Sequence, residues 1–451
     1  HDILWIHRRS ARLPPSLTDA ETLEAKRLAL RAAAESFRAR ANADPEFVIH
    51  KTLVGFETVL DPWWEGRSDI EAEHAYRVEA VERLAQSVDL QTLAPWRTRI
   101  RRAAATQSAD GATFPSFRAF LKAVAYRLPS FGLELLAETT LADFLAAVLL
   151  GLEGTEAEAA AQEQASSWQD SARRIQVAVY CQSARDLHLD ILQTCLSAAL
   201  ADHDHVTAIK VMEVCARRYD EARQPLMRCF VSALDGLVSA PEPQWVNGVW
   251  FLTREVGLIA ELAEGDVDLA LRDLVGIRRL DTHAEWVVAG LTRRWPEKLL
   301  AYLGERLALA SSAAKPADFE PVPFDVDRLK VVLEGRPGEL IGAARRWFDD
   351  DPDLFDLRAG ALPARFFPTF ADIEPSLFER IDGAERRDLE FVLRVVRGYE
   401  GQRAIHSICQ AVIDRIEEGD ELLGLAGVAL DESGTLSGEY GLVERDRARR
   451  R

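Results

Sequence analysis

The sequence predicts an all-α chain, built as a right-handed stack of antiparallel helix pairs with negligible strand content. Three observations carry this. Apolar residues recur every three or four positions along most of the chain, the signature of one buried helix face. No alternating run of Val, Ile or aromatic residues reaches six, with the tail near Gly427-Val-Ala-Leu430 as the one strand candidate. Finally, one device occurs twice. Leu291-Thr-Arg-Arg-Trp-Pro-Glu-Lys-Leu-Leu300 and Leu333-Glu-Gly-Arg-Pro-Gly-Glu-Leu-Ile341 each end an apolar helix, turn through Arg and Pro, and restart one. Pro296 and Pro337 stand 41 residues apart, inside the range of about 34 to 47 residues seen in helical repeats.

The elements follow in order. Thr18-x-x-Glu21 is a capping box that opens a helix carrying Leu23, Leu30, Phe37 and Ala41 on one face. Ser68-x-x-Glu71 opens a second helix through about Val88. Phe117, Phe120, Leu121 and Val124 form a stripe after Pro115-Ser116, and residues 129–152 read as a well-buried helix pair. Residues 151–164, rich in Gly, Glu, Thr and Ala, are a soft boundary or the polar first turns of a helix. Regular helices are then expected over 168–182, 185–200, 204–218 and 223–238, joined by short polar turns such as Ala201-Asp-His-Asp-His205. Short turns make consecutive helices antiparallel. Pro241-Glu-Pro243 and the Pro-rich stretch within 311–324 interrupt the pattern, the latter as a second soft boundary. Shorter helices are expected over 326–334, 338–348, 373–382, 386–397 and 401–418. A Gly/Ser-rich segment and a short basic helix close the chain over 431–451. The whole of 1–451 thus reads as one largely continuous array.

At 451 residues, 48% hydrophobic and 28% charged, the chain has the composition of a globular protein. The longest apolar run, Leu141 to Leu152, is interrupted by Asp143 and falls short of the roughly 18 to 20 residues of a membrane span, so no membrane partner is expected. The net charge of −18 argues against a generic duplex-binding surface, which needs clustered Lys and Arg to release counterions. Positive charge is almost all Arg, a bias that reads as GC-rich bacterial coding. The five cysteines, at 181, 195, 215, 229 and 409, lie among apolar helical neighbours and lack the close pairing of zinc sites. They read as reduced core residues of a cytoplasmic protein. Met occurs only at 212 and 227, and the chain opens on the apolar Ile3-Leu4-Trp5-Ile6. The expectation is an excised part of a longer protein, with N-terminal processing as the competing explanation.

Chemistry-bearing motifs are few. Asp349-Asp350-Asp351-Pro352-Asp353 matches D-D-x-x-D, a spacing that can hold Mg²⁺ and a diphosphate in all-α enzymes. The competing reading is a helix-capping run, since carboxylates meet the positive end of the next helix dipole. Asp202-His203-Asp204-His205, with His188, offers imidazole and carboxylate ligands suited to Zn²⁺ or Mn²⁺, or simply a polar turn. Asp61-Pro-Trp-Trp-Glu-Gly66 is the most unusual loop. Trp63 and Trp64 cannot both enter one helix seam, so one of them is a candidate partner contact. No P-loop, G-x-G-x-x-G or G-x-S-x-G elbow is present. The basic tip Arg445, Arg447 and Arg449–Arg451 reads as a solvated helix end. No cofactor is expected, and no catalytic residue is assigned.

The 41-residue recurrence and the helix–turn–helix cadence over roughly 168–418 resemble HEAT/armadillo-type α-solenoids. His50-Lys-Thr-Leu-Val-Gly-Phe56, Trp295-Pro-Glu and Gly398-Tyr-Glu-Gly-Gln402 also look like the C-terminal helical regions of large bacterial antiphage or signalling ATPases. The first resemblance implies a non-catalytic scaffold that binds a protein, because such arrays present extended binding surfaces. The second implies a sensor module attached to an enzyme elsewhere in a parent chain, with a role in antiviral defence. Two alternatives stand beside these: a Mg²⁺-dependent all-α enzyme using Asp349–Asp353, and a nucleic-acid-binding HEAT-like module with a basic stripe.

Overall fold

A computed structural model describes residues 20–55, 70–106, 114–238, 243–250, 257–312, 318–323, 326–355, 359–382, 385–399, 402–417 and 419–434. Every regular element among them is helical, and no strand occurs there. The strand candidate at Gly427–Leu430 lies instead within a helix, Leu422–Gly434. The chain divides into two compact units, His1–Thr207 and Ala208–Arg451. Both stretches read as soft boundaries lie inside units: 151–164 in the first, 311–324 in the second.

The first unit holds α1 (Ala20–Asn42), α2 (Pro45–Val54), α3 (Ile70–Gln86), α4 (Leu93–Ala104), α5 (Pro115–Arg127), α6 (Pro129–Leu136), α7 (Leu145–Leu152), α8 (Glu158–Ser166), α9 (Ser171–Ser183) and α10 (Leu189–Ala201). Its core is the crossing of α5 and α7, with α3, α6 and α9 packed around them. The stripe Phe117, Phe120, Leu121 and Val124 is fully buried, each large side chain contributing about 1.5–3 kcal/mol. Phe120 lies against Trp96, ring centroids 5.2 Å apart, and Phe117 meets Phe144 edge-on at 4.9 Å. Gly151 lets the two core helices touch: a Cβ there would stand 2.3 Å from the Lys122 carbonyl oxygen.

The expected pair over 129–152 is broken in three, by a 3₁₀ turn at Thr139–Phe144. Pro129–Leu136 and Thr139–Leu152 meet at a bend of 111°, and no single described helix is long and apolar enough to cross a membrane. The α1 stripe is only partly covered, since Leu30 and Phe37 remain exposed. Both capping-box residues, Thr18 and Ser68, lie outside the described residues.

The second unit contains most of α11 (His205–Arg217), then α12 (Arg223–Leu237), α13 (Trp245–Val249), α14 (Leu258–Glu261), α15 (Glu264–Leu274), α16 (Thr282–Thr292) and α17 (Pro296–Ala310). After the excursion follow α18 (Pro337–Asp350), α19 (Pro352–Leu354), α20 (Leu362–Phe366), α21 (Phe370–Ile381), α22 (Arg386–Val396), α23 (Ile405–Ile413) and α24 (Leu422–Gly434). Packing runs along the sequence: α16 on α15, α17 on α16, α18 on α17, α21 on α18, α22 and α23 on α21, α24 on α22 and α23.

Pro296 and Pro337 both occupy the first helical turn, where the missing N–H costs nothing and φ is already helical. The two copies of the device differ upstream, however. The first follows the α-helix α16, whereas the second follows only a 3₁₀ turn, Lys330–Val332, in place of the helix expected over 326–334. Gly335 takes φ +70°, and Arg336 precedes a proline, which disfavours helical backbone. A segment so short cannot offset the cost of helix nucleation.

One buried cation fixes the route between the two copies. Arg306 on α17 is fully buried. Its Nη1 donates to the carbonyls of Val275 (2.7 Å), Ile277 (2.8 Å) and Leu274 (3.4 Å) at the end of α15. Its Nε donates to Pro321 O at 3.1 Å and its Nη2 to Glu320 O, so the excursion is tied to the same side chain. A cation among helix C-terminal carbonyls also complements the macrodipole. The guanidinium covers the Phe319 ring at 4.5 Å. Tyr302, one turn earlier, donates to Leu274 O at 3.0 Å, and burial raises its phenol to about 12.

Candidate functional site

The motifs singled out by sequence fall into three environments. Trp63 and Trp64 lie outside the described residues. The Asp202–His205 turn lies over a buried arginine. Arg174 on α9 donates through Nη2 to Asp202 Oδ2 and Gln169 O, and through Nη1 to Ala198 O (3.3 Å) and Asp204 Oδ2 (3.5 Å). Asp204 also accepts from the Thr207 amide at 3.1 Å and hydroxyl at 2.7 Å, as a helix cap does. Burial would raise its carboxyl, but the hydroxyls of Thr207 and Ser171, and Arg174, hold it below the ordinary range. His203 is exposed, in the left-handed region at φ +54°.

His188 belongs to a different cluster. Its Nε2 is 2.8 Å from the Tyr180 hydroxyl, the two rings stack, and Glu153 lies 4.0 Å away. Burial pushes the Tyr180 phenol well above its usual range. Glu153 also accepts from the Arg185 amide at 2.7 Å. The group clasps the α9–α10 turn. All five cysteines are free thiols and buried, and no three His, Cys, Asp or Glu side chains converge as metal ligands among the described residues.

The Asp349–Asp353 run is split by its surroundings. Asp349 pairs with Arg345 and, at 2.8 Å, with Arg387 on α22. These arginines, Arg345 first, hold its carboxyl below the usual range against a smaller effect of burial. Asp351 turns the other way and accepts from Ser311 Oγ at 2.8 Å. Asp350 and Asp353 are exposed. The carboxylates therefore do not converge as a diphosphate–Mg²⁺ site requires. Asp350 and Asp351 instead stand at one edge of a cavity of about 260 Å³ between α17 and the end of α18. Leu307, Ala308, Trp347, Phe355 and Ala359 form its apolar walls. Sequence reading named these carboxylates but not the cavity, because its far wall comes from Gly304–Ser311, some forty residues upstream.

The first unit has a larger opening, an apolar groove of about 420 Å³ between α3 and α5. Val78, Val81, Ala119, Ala123 and Tyr126 line it, and Val78 and Tyr126 are exposed. The most basic helix, α4, is largely neutralised: Arg97 pairs with Glu134, Arg99 with Glu46 and Arg101 with Glu138. Three of its four arginines are thus engaged within the protein.

No protein-family profile matches the chain, and no curated protein or solved structure shows significant similarity to it.

Proposed function

We propose that the chain is a helical-repeat module of the α-solenoid kind that binds a protein partner and catalyses no reaction itself. One observation carries this reading: the spacing of side-chain links along the second unit. Tyr219 donates to Glu261, Trp245 to Asp273, Lys298 pairs with Asp268 and Ser311 donates to Asp351. Further on, Arg345 pairs with Asp388, Arg386 with Asp420, and Ser407 donates to Glu374. These links span 28 to 43 residues, bracketing the 41-residue recurrence of the proline device. Links of this span support the reading, because an array whose repeats contact only their neighbours needs ties about one repeat apart. Such arrays present long surfaces suited to macromolecules. The carboxylates of Asp349–Asp353 diverge and most arginines of α4 are paired, which favours a protein partner over either alternative.

The test uses the intact chain as bait in extract of its own cell, followed by reconstitution with the recovered protein. The reading expects a stoichiometric complex of the two purified proteins, with a Kd of about 10 µM or tighter, corresponding to roughly −7 kcal/mol. Retention of no macromolecule, together with turnover of a small molecule by the purified chain, would overturn it.

A further inference from the structure

We infer that Cys215 and Cys229 form a redox couple, which hydrogen peroxide converts into an intramolecular disulfide stapling α11 to α12. The inference concerns a device within the second unit and does not depend on the identity of any partner.

Two apolar stripes place the thiols. On α11, Ala208, Val211, Met212 and Cys215 recur at helical spacing and are all buried. On α12, Leu226, Cys229, Phe230 and Ala233 do the same. Residues 218–222 alone join the helices, with a 3₁₀ turn at Tyr219–Glu221. Arg218 closes that turn by pairing with Glu221 at 2.6 Å. So short a connection folds α12 back along α11, and the two thiols meet: the Cys215 side chain is hydrogen-bonded to that of Cys229. The other cysteines are placed differently. Cys181 and Cys195 donate to the carbonyls of His188 (4.0 Å) and Arg174 (3.4 Å). Cys409 lies on α23, where burial pushes its thiol up to about 11.

The contact also assigns the roles. The thiolate is the nucleophile of cysteine oxidation. The Cys215 S–H, donating to the Cys229 sulfur, holds Cys229 below the ordinary thiol range against the opposing effect of burial. Cys229 is 4% exposed and Cys215 0%, so a molecule as small as peroxide meets Cys229 first. The Cys229 thiolate attacks one peroxide oxygen and the O–O bond breaks. A sulfenic acid forms, and the departing hydroxide takes up the proton that Cys229 released. The Cys215 sulfur then attacks the sulfenic sulfur, the S–O bond breaks, and the hydroxyl leaves with the Cys215 proton as a second water. Two thiols lose two electrons, and one peroxide is reduced to two waters. Sulfurs already in hydrogen-bond contact need only small side-chain rotations to reach the S–S distance of about 2.05 Å. The bond would lock a hairpin that packs on α15 and carries the link from Tyr219 to Glu261. A dithiol reductant reverses the step by exchange.

The test treats the folded full chain with hydrogen peroxide, blocks remaining thiols with N-ethylmaleimide in denaturant, and maps tryptic peptides without reduction. Cleavage after Lys210, Arg217 and Arg228 puts Cys215 and Cys229 on separate peptides, and Cys181, Cys195 and Cys409 on three others. The expected product links residues 211–217 to 229–254, forms at least about tenfold faster than any oxidation of Cys409, and disappears on adding dithiothreitol. In urea the same treatment should scatter disulfides among several pairs, because the fold no longer selects one. In Cys215→Ser, dimedone should trap the sulfenic acid at Cys229. In Cys229→Ser, Cys215 should oxidise at least about tenfold more slowly than Cys229 does in the native chain. Absence of the linked peptide while Cys409 is oxidised overturns the proposal, as does an equal mixture of pairs in the folded chain. Faster oxidation of Cys215 than of Cys229 overturns the assignment of roles. The first two outcomes are read on the unaltered chain, so a variant that fails to fold leaves the test intact.

Discussion

Replacing Arg306 by Met should destabilise the second unit by about 2–3 kcal/mol, the scale set by leaving buried acceptors without the charged donor that satisfied them. Methionine keeps much of the volume and the apolar contact with Tyr302, so the loss isolates the guanidinium. Five carbonyls, from Leu274, Val275, Ile277, Glu320 and Pro321, would lose their shared donor. Buried acceptors without partners cost more than the net value of the bonds themselves. Burial works against the charged form of Arg306, lowering its affinity for the proton, so part of the gain is already offset in the native state. Urea denaturation followed by near-UV circular dichroism measures the change. A loss under about 1 kcal/mol would mean that water replaces the guanidinium without penalty.

The second large effect is at Gly151. In an exposed helix interior, Gly→Ala stabilises by roughly 0.5–1 kcal/mol through the unfolded state. Here the sign should reverse. The new Cβ would stand 2.3 Å from Lys122 O and 2.8 Å from Ala125 Cβ. The first obstacle is backbone and cannot rotate away, so α5 and α7 must separate and open the Phe117–Phe120–Leu121 core. Overpacking of this kind costs about 1–3 kcal/mol. Gly427, inside α24 with nothing within 4 Å of its Cβ position, is the matched control. Gly427→Ala should stabilise where Gly151→Ala destabilises, and equal signs in thermal unfolding would show that the α5–α7 crossing is looser than described.

The parts of the fold that were legible in the sequence are those governed by local periodicity. Phe117, Phe120, Leu121 and Val124 announce a buried face because helical spacing alone places them together, and all four are buried. The helices expected over 168–182, 185–200, 204–218 and 223–238 appear at Ser171–Ser183, Leu189–Ala201, His205–Arg217 and Arg223–Leu237. Proline at the first helical turn was readable for the same reason. Illegible features depend on residues distant in sequence. Arg306 sits on the apolar face of α17 beside Leu299, Tyr302 and Leu303, but its carbonyl partners are 14 to 32 residues away. Only the placement of a charge on a buried stripe could have signalled it. The Asp349–Asp353 run misleads as a motif because its spacing says nothing about Arg387 or Ser311, which turn neighbouring carboxylates in opposite directions. The cavity beside it needs both walls, which come from Gly304–Ser311 and Trp347–Ala359.

The central claim, that the second unit is fastened layer by layer, has a direct test in native-state hydrogen exchange on a chain ending at Tyr399. That truncation removes α23 and α24, with the links from Ser407 to Glu374 and from Arg386 to Asp420. In a layered array the loss is felt by the neighbouring layer and fades with distance. The account therefore predicts lowered amide protection in α21 and α22 and unchanged protection in α15 to α17. Loss of protection throughout α15 to α22 would contradict it, because that result describes a single cooperative core rather than a stack of neighbours.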